Sequence, residues 1–189
     1  MHKMHSRHTL TSYIHFLGIH SGCAVAAMTW FAIFTIAASA ELAKPVESRR
    51  ISLAPTILSY LVMLIFVAIG LTSYPTFRAK YHNVWEMTHR FGGWTCLLLL
   101  WIQTFLATKD LNPDVKPTTA WLHSPPIWLL SVATMAVIFP WLFLRKVAVR
   151  SEFLCNHAVR LWFEYATPVV GTSVRLAERP LADWYVFHI

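Results

Sequence analysis

One stretch of the sequence reads Tyr81-His-Asn-Val-Trp-Glu-Met-Thr-His-Arg-Phe-Gly-Gly-Trp-Thr-Cys96 and continues into the apolar run Leu97-Leu-Leu-Leu-Trp-Ile-Gln103. It places four ionisable side chains at the entry to an apolar segment: His82, Glu86, His89 and Arg90. Ionisable side chains are costly inside a bilayer and usually serve a purpose there. We therefore expect any chemical site of this protein to lie in this stretch.

The composition is typical of a membrane protein. Hydrophobic residues make up 56% of the 189 residues and charged residues only 13%, a balance that soluble domains rarely show. The formal charge of +7 does not indicate nucleic-acid binding, because the basic residues lie in short clusters at the ends of apolar segments. Cys23, Cys96 and Cys155 lack the spacing of a metal or disulfide motif, so we expect free structural thiols.

Four apolar segments are long enough to span a bilayer, at about residues 13–40, 53–74, 84–108 and 126–144. The first is too long for a cleavable signal and is expected to remain as a helix. Pro140 is expected to disturb the fourth near its end. The predicted fold is an all-α integral membrane protein with a four-helix transmembrane bundle.

The predicted domains are a polar tail at residues 1–12, a four-span transmembrane domain at 13–150, and a C-terminal part at 151–189. In the last part, residues 155–165 have the composition of an amphipathic helix at the membrane interface. Residues 172–177 and 184–189 alternate like short strands. We expect an interfacial helix followed by a short strand-like tail.

Lysine and arginine predict the orientation. One side of the membrane would receive eight of these residues and the other side five, which predicts that both termini of this multi-pass protein face the cytoplasm. The larger set is Lys3, Arg7, Arg78, Lys80, Arg90, Arg145, Lys146 and Arg150, and the smaller is Lys44, Arg49, Arg50, Lys109 and Lys116. The lipid bilayer is the first expected partner.

In this orientation, His15 and His20 of the first span lie at about the depth of the cluster on the third. Within that cluster, Glu86 is three residues before His89 and four before Arg90, so one helix face can carry all of them. Two interpretations follow from the spacing. In the first, His20 and His89 hold a metal ion or a haem. In the second, the cluster is a hydrogen-bonded network that joins two helices.

Three segments carry a family resemblance: Thr88-His-Arg-Phe-Gly-Gly-Trp94, His157-Ala-Val-Arg-Leu161 and Pro180-Leu-Ala-Asp-Trp-Tyr-Val-Phe187. On these the chain resembles the fungal TmpA-type integral membrane proteins and the membrane tails of some fungal adenylate-forming, NRPS-like enzymes. Both groups look like distant relatives of the ferric reductases and NADPH oxidases. The resemblance implies a helical membrane domain followed by the start of a ferredoxin-reductase-like module that binds FAD and NADPH.

In that superfamily two helices each carry a pair of histidines that hold two haems. His89 matches the first position, but Gln103 stands at the second, fourteen residues later, and the fourth span contains no histidine. An amide is a poor iron ligand, so a two-haem relay is not expected. Tyr185 stands where the flavin module has a histidine. FAD and NADPH would therefore require a missing or partner module.

Three functions remain open from the sequence. The first is a membrane component of a ferric-reductase-like oxidoreductase in fungal secondary metabolism, with a degenerate site or a single haem b. The candidate cofactor ligands are His15, His20, His82 and His89. The second is a non-catalytic anchor or accessory subunit for a flavin-containing or biosynthetic enzyme. The third is a small membrane enzyme that acts on a lipophilic metabolite, with Glu86 and His89 as acid and base.

Overall fold

The computed structural model describes residues 3–155, 158–162, 173–176 and 185–188, with side chains described for residues 18–155 and 159–162. The helices are α1 (Lys3–Leu42), α2 (Leu53–Thr72), α3 (Pro75–Lys80), α4 (His82–Leu111), α5 (Pro117–Leu122) and α6 (Pro125–Ile138), with 3-10 turns at Val46–Ser48 and Phe139–Phe143. The strands are β1 (Arg150–Cys155), β2 (Ala158–Trp162), β3 (Ser173–Leu176) and β4 (Tyr185–His188). Residues 10–135 form one compact unit, and residues from 136 onward belong to a second.

Within the described part of the chain, four helical segments are long and apolar enough to cross a membrane: Gly18–Leu42, Leu53–Thr72, His82–Leu111 and Pro125–Phe143. The prediction of a mainly helical, four-span integral membrane protein is confirmed. The third span begins at His82, earlier than expected, so the whole ionisable cluster lies on helix. The fourth changes from α-helix to a 3-10 turn at Phe139, next to Pro140, because proline has no N–H to continue the α-helical hydrogen bonds.

The antiparallel pair α2 and α4 forms the most extensive helix contact in the larger unit. Ser59 and Val62 of α2 are fully buried there. Gly92 of α4 allows close approach, since a Cβ at this position would come within 3.2–3.3 Å of side-chain atoms of Ile65 and Ile69. Small residues at such contacts bring helix backbones together, which is the main source of packing energy between helices in lipid.

Polar contacts hold both ends of this pair. At one end, the Ser52 backbone N–H donates to Asp110 Oδ2 (2.8 Å). At the other, Trp85 Nε1 of α4 donates to Ser73 Oγ just after α2 (3.3 Å). The two bonds lie near opposite ends of α4, so they limit sliding of one helix along the other.

Helices α1 and α6 join this pair mainly through side chains. Trp101 Nε1 of α4 donates to Thr134 Oγ1 of α6 (2.9 Å). The hydroxyls of Ser39 and Tyr60 connect α1 to α2 (2.7 Å). Residues 18–27 of α1 are exposed, whereas Thr35 is buried further along the helix. The first described half of the α1 span is therefore covered less by protein than the second half.

The prediction of an interfacial helix at residues 155–165 is wrong for the described residues of this segment, where β1 and β2 form an antiparallel hairpin. Glu152 pairs with Arg160 across the strands (3.5 Å), while Phe153 lies opposite Val159 on the other face. This alternation has the two-residue period of a strand rather than the 3.6-residue period of a helix. The predicted strands near the C-terminus are confirmed as the antiparallel pair β3 and β4.

Candidate functional site

The start of α4 sets the spacing of the candidate site. Tyr81 ends α3 and precedes α4 with φ −126° and ψ 54°, a non-helical conformation that lets the chain change direction. Because α4 then runs without interruption from His82, the side chains of His82, Trp85, Glu86 and His89 follow one another along one face of the helix.

Four aromatic rings form a continuous series, three on this face of α4 and one on α1. The ring centres of His82 and Trp85 are 5.3 Å apart, and those of Trp85 and His89 are 5.8 Å apart. His20 of α1 completes the series, with its ring centre 6.2 Å from that of His89 and the two planes inclined at 57°. The structure therefore brings His20 and His89 together, and their contact lies between α1 and α4.

An ion pair lies beside the rings. Arg90 Nη2 donates to Glu86 Oε1, and only 12% of the Arg90 side chain and 15% of the Glu86 side chain are exposed. The second carboxylate oxygen of Glu86, Oε2, is buried and has no hydrogen-bond partner among the described residues. A largely buried ion pair of this kind depends on both partners, because either charge alone would be left uncompensated.

Basic side chains also lie near the beginning of α4. The guanidinium carbon of Arg78 is 4.7 Å from the centre of the Trp85 indole. Lys80 Nζ is 5.1 Å from the centre of the Tyr81 ring. Both distances are within the range of cation–π attraction, so aromatic rings hold two cations at the beginning of α4.

Two further residues singled out in the sequence are His15 and Gln103. The side chain of His15 lies outside the described residues, although its backbone is part of α1. Gln103 is 4% exposed in the contact with α2, where its Nε2 donates to Ser59 Oγ (3.0 Å). The described residues contain no group of three or more His, Cys, Asp or Glu side chains arranged to hold a metal ion.

Sequence reasoning missed Trp85 and Arg78 as parts of the site. Trp85 is three residues after His82 and four before His89, so helical spacing alone could have placed it on the same face. No local signal predicts that Arg78, on a different helix, lies over the Trp85 ring. The role of Gln103 in packing was also missed, since its contact with Ser59 joins residues 44 positions apart.

Comparison with known proteins gives two related matches. The chain is 38% identical over 182 residues, 96% of its length, to a protein of the fungus Coprinopsis cinerea named adenylate-forming reductase 03009. It is 41% identical over 172 residues, 90% of its length, to adenylate-forming reductase 06235 of the same fungus. The chain spans only 18% and 16% of the lengths of these proteins. No family model and no solved structure matches.

Proposed function

We infer that this chain is the membrane module of a biosynthetic enzyme of the adenylate-forming reductase kind, either within one longer polypeptide or as a separate subunit. The similarity to two proteins with that name covers 90% or more of the chain but a small part of each relative. The described residues contain four candidate spans. A module of this kind holds the associated enzyme at the bilayer.

The observation that carries this proposal is the use of polar side chains between the helices. Gln103 reaches Ser59 in the contact between α2 and α4. Trp101 reaches Thr134 between α4 and α6, and Ser39 reaches Tyr60 between α1 and α2. Hydrogen bonds of this type join helices in a membrane, each typically contributing about 0.6 kcal/mol. They support a packing role for these polar groups.

We also propose an orientation of the chain in the membrane. The short helix α3, which lies between the second and third spans, carries Arg78 and Lys80. The segment after the fourth span carries Arg145 and Lys146. Lysine and arginine favour the cytoplasmic side of short loops. We propose that both termini face the cytoplasm, where an enzyme attached to either terminus would also lie.

Membrane fractionation tests the anchoring role. Deletion of residues 13–150 in the producing cells should move carboxylic-acid-dependent ATP–pyrophosphate exchange, the sign of adenylate formation, from the membrane pellet to the soluble fraction. His20→Ala and Glu86→Ala should lower the stability of the membrane module but leave that activity in the pellet and product formation unchanged, because neither removes a span. Activity that stays in the pellet after the deletion would contradict the proposal.

A second candidate function is suggested by the contact between His20 and His89. Two imidazoles that bind one metal from opposite sides each place a nitrogen about 2 Å from it, so their ring centres lie about 6 Å apart. The observed separation is 6.2 Å. Zinc in a structural site needs four protein ligands, more than this pair provides. Haem iron can be held by histidine, so a haem b would require no more protein ligands than His20 and His89.

In this second candidate the chain belongs to a ferric-reductase-like oxidoreductase with one haem, in keeping with the TmpA-type resemblance. His20 and His89 would hold the haem, which would supply one-electron transfer. Trp85 would restrict the orientation of the His89 ring through their contact. Gln103 takes no part, because its amide is engaged with Ser59. FAD and NADPH would come from another module.

Absorption spectroscopy with iron quantitation on the purified chain tests the second candidate. We expect at most one haem per chain, with a Soret band that is lost in both His20→Ala and His89→Ala. His82→Ala is the matched control and should retain the band, since the His82 ring contacts Trp85 at the other end of the series. Two haems per chain would contradict our assignment of Gln103 to helix packing. An iron-free chain would contradict the haem candidate and leave the membrane anchor as the remaining function. Acid–base catalysis by Glu86 and His89 on a lipophilic metabolite stays a prediction.

A further inference from the structure

The short helix α3 forms an elbow between two spans. It comprises six residues, and both of its cations, Arg78 and Lys80, are exposed. The aromatic residues Tyr81 and Trp85 follow directly in sequence. Aromatic and basic residues at the end of a span are typical of the zone where lipid headgroups meet water, so this elbow lies where phosphate groups are abundant.

Arg78 contacts the Trp85 ring while its side chain remains exposed. The guanidinium lies over the Trp85 ring at 4.7 Å, and the indole is itself fixed by donation from its Nε1 to Ser73 Oγ (3.3 Å). The guanidinium carries five N–H donors, and the exposed Arg78 side chain can offer them to a ligand. Among the described residues, no carboxylate forms an ion pair with Arg78.

The surrounding charge favours an anionic ligand. Between residues 70 and 100 the one acidic residue is Glu86, and it is paired with Arg90. Lys80 lies over the neighbouring Tyr81 ring and adds a second cation. A planar guanidinium can bind two phosphate oxygens at once, and an ammonium adds a point charge beside them.

We propose that Arg78 binds the phosphate group of an anionic phospholipid in the leaflet that meets the α3 elbow. Arg78 donates to two phosphate oxygens, and Lys80 adds positive charge on the same short helix. The acyl chains extend along the exposed apolar surface of the spans. Trp85 acts as a positioning residue, because its ring contacts the guanidinium and does not touch the phosphate.

Binding can be measured on the intact chain in detergent by native mass spectrometry and by thermal shift. Phosphatidic acid should bind to the unmodified protein and raise its unfolding temperature, whereas phosphatidylcholine should not. Arg78→Gln should weaken phosphatidic acid binding by at least about tenfold, and Arg78→Lys should weaken it less. Arg50→Gln is the matched control at the other end of the bundle and should bind as the unmodified protein does.

Two further binding measurements identify the source of the phosphate and the role of Trp85. Inorganic phosphate at the same concentration should neither bind detectably nor compete with phosphatidic acid; if it competes fully, the site is for free phosphate and the lipid assignment is wrong. Trp85→Phe should weaken binding only partly, since the ring remains but its bond to Ser73 is lost. Equal binding of phosphatidic acid and phosphatidylcholine to the unmodified protein would overturn the proposal without relying on any variant.

Discussion

Replacement of Arg90 by methionine is expected to lower the free energy of unfolding by about 3–5 kcal/mol, the range for removing one partner of a buried ion pair. Arg90 and Glu86 are both largely shielded, with 12% and 15% of their side chains exposed. Removal of the guanidinium leaves the Glu86 carboxylate without its cation, in a place where Oε2 already lacks a hydrogen-bond partner among the described residues. The loss can be measured by unfolding the purified chain in mixed micelles.

A double variant separates loss of charge pairing from loss of packing. Glu86→Gln combined with Arg90→Met should recover a large part of the stability, because the carboxylate charge is removed together with its partner. Arg49→Met is the control for an exposed arginine and should change stability by less than about 0.5 kcal/mol. If the double variant is as unstable as Arg90→Met alone, an uncompensated charge is not the cause of the loss.

Truncation of Gln103 to alanine is expected to cost about 2–4 kcal/mol, as large-to-small substitutions at packed positions do. The side chain is 4% exposed between α2 and α4, so its removal leaves a void that lipid cannot fill. The hydrogen bond from Nε2 to Ser59 is also lost. Ser59 keeps its own bond to the Pro55 carbonyl (2.8 Å), so the cost comes mainly from packing. Thermal unfolding in one detergent provides the comparison.

Gln103→Met is the matched control, since methionine has a similar volume and no hydrogen-bonding amide. It should lose less than about 1.5 kcal/mol and should leave any Soret absorption unchanged. A Soret band that disappears in Gln103→Met while the protein stays folded would show that Gln103 serves a cofactor after all. Equal destabilisation by methionine and alanine would instead assign the effect to the hydrogen bond.

The hairpin of β1 and β2 shows why the local sequence pattern was not enough to predict that β2 is a strand. The segment Val159-Arg160-Leu161-Trp162 is short and apolar, and short apolar runs do not distinguish a helix from a strand. The choice depends on pairing with another segment. Here Glu152 lies opposite Arg160 and Phe153 opposite Val159, and these cross-strand partners are not specified by the composition of either segment alone.

The sequence by itself determined the four spans and the ionisable face of the third, because apolar length and helical spacing are local properties of the chain. It also placed His20 and His89 at a similar depth. Only the tertiary structure decided which side chains meet: the His20 and His89 rings, the Gln103 bond to Ser59, and Arg78 over Trp85. These contacts depend on how the helices rotate and cross, which is set by packing at positions such as Gly92 rather than by the pattern of any one helix.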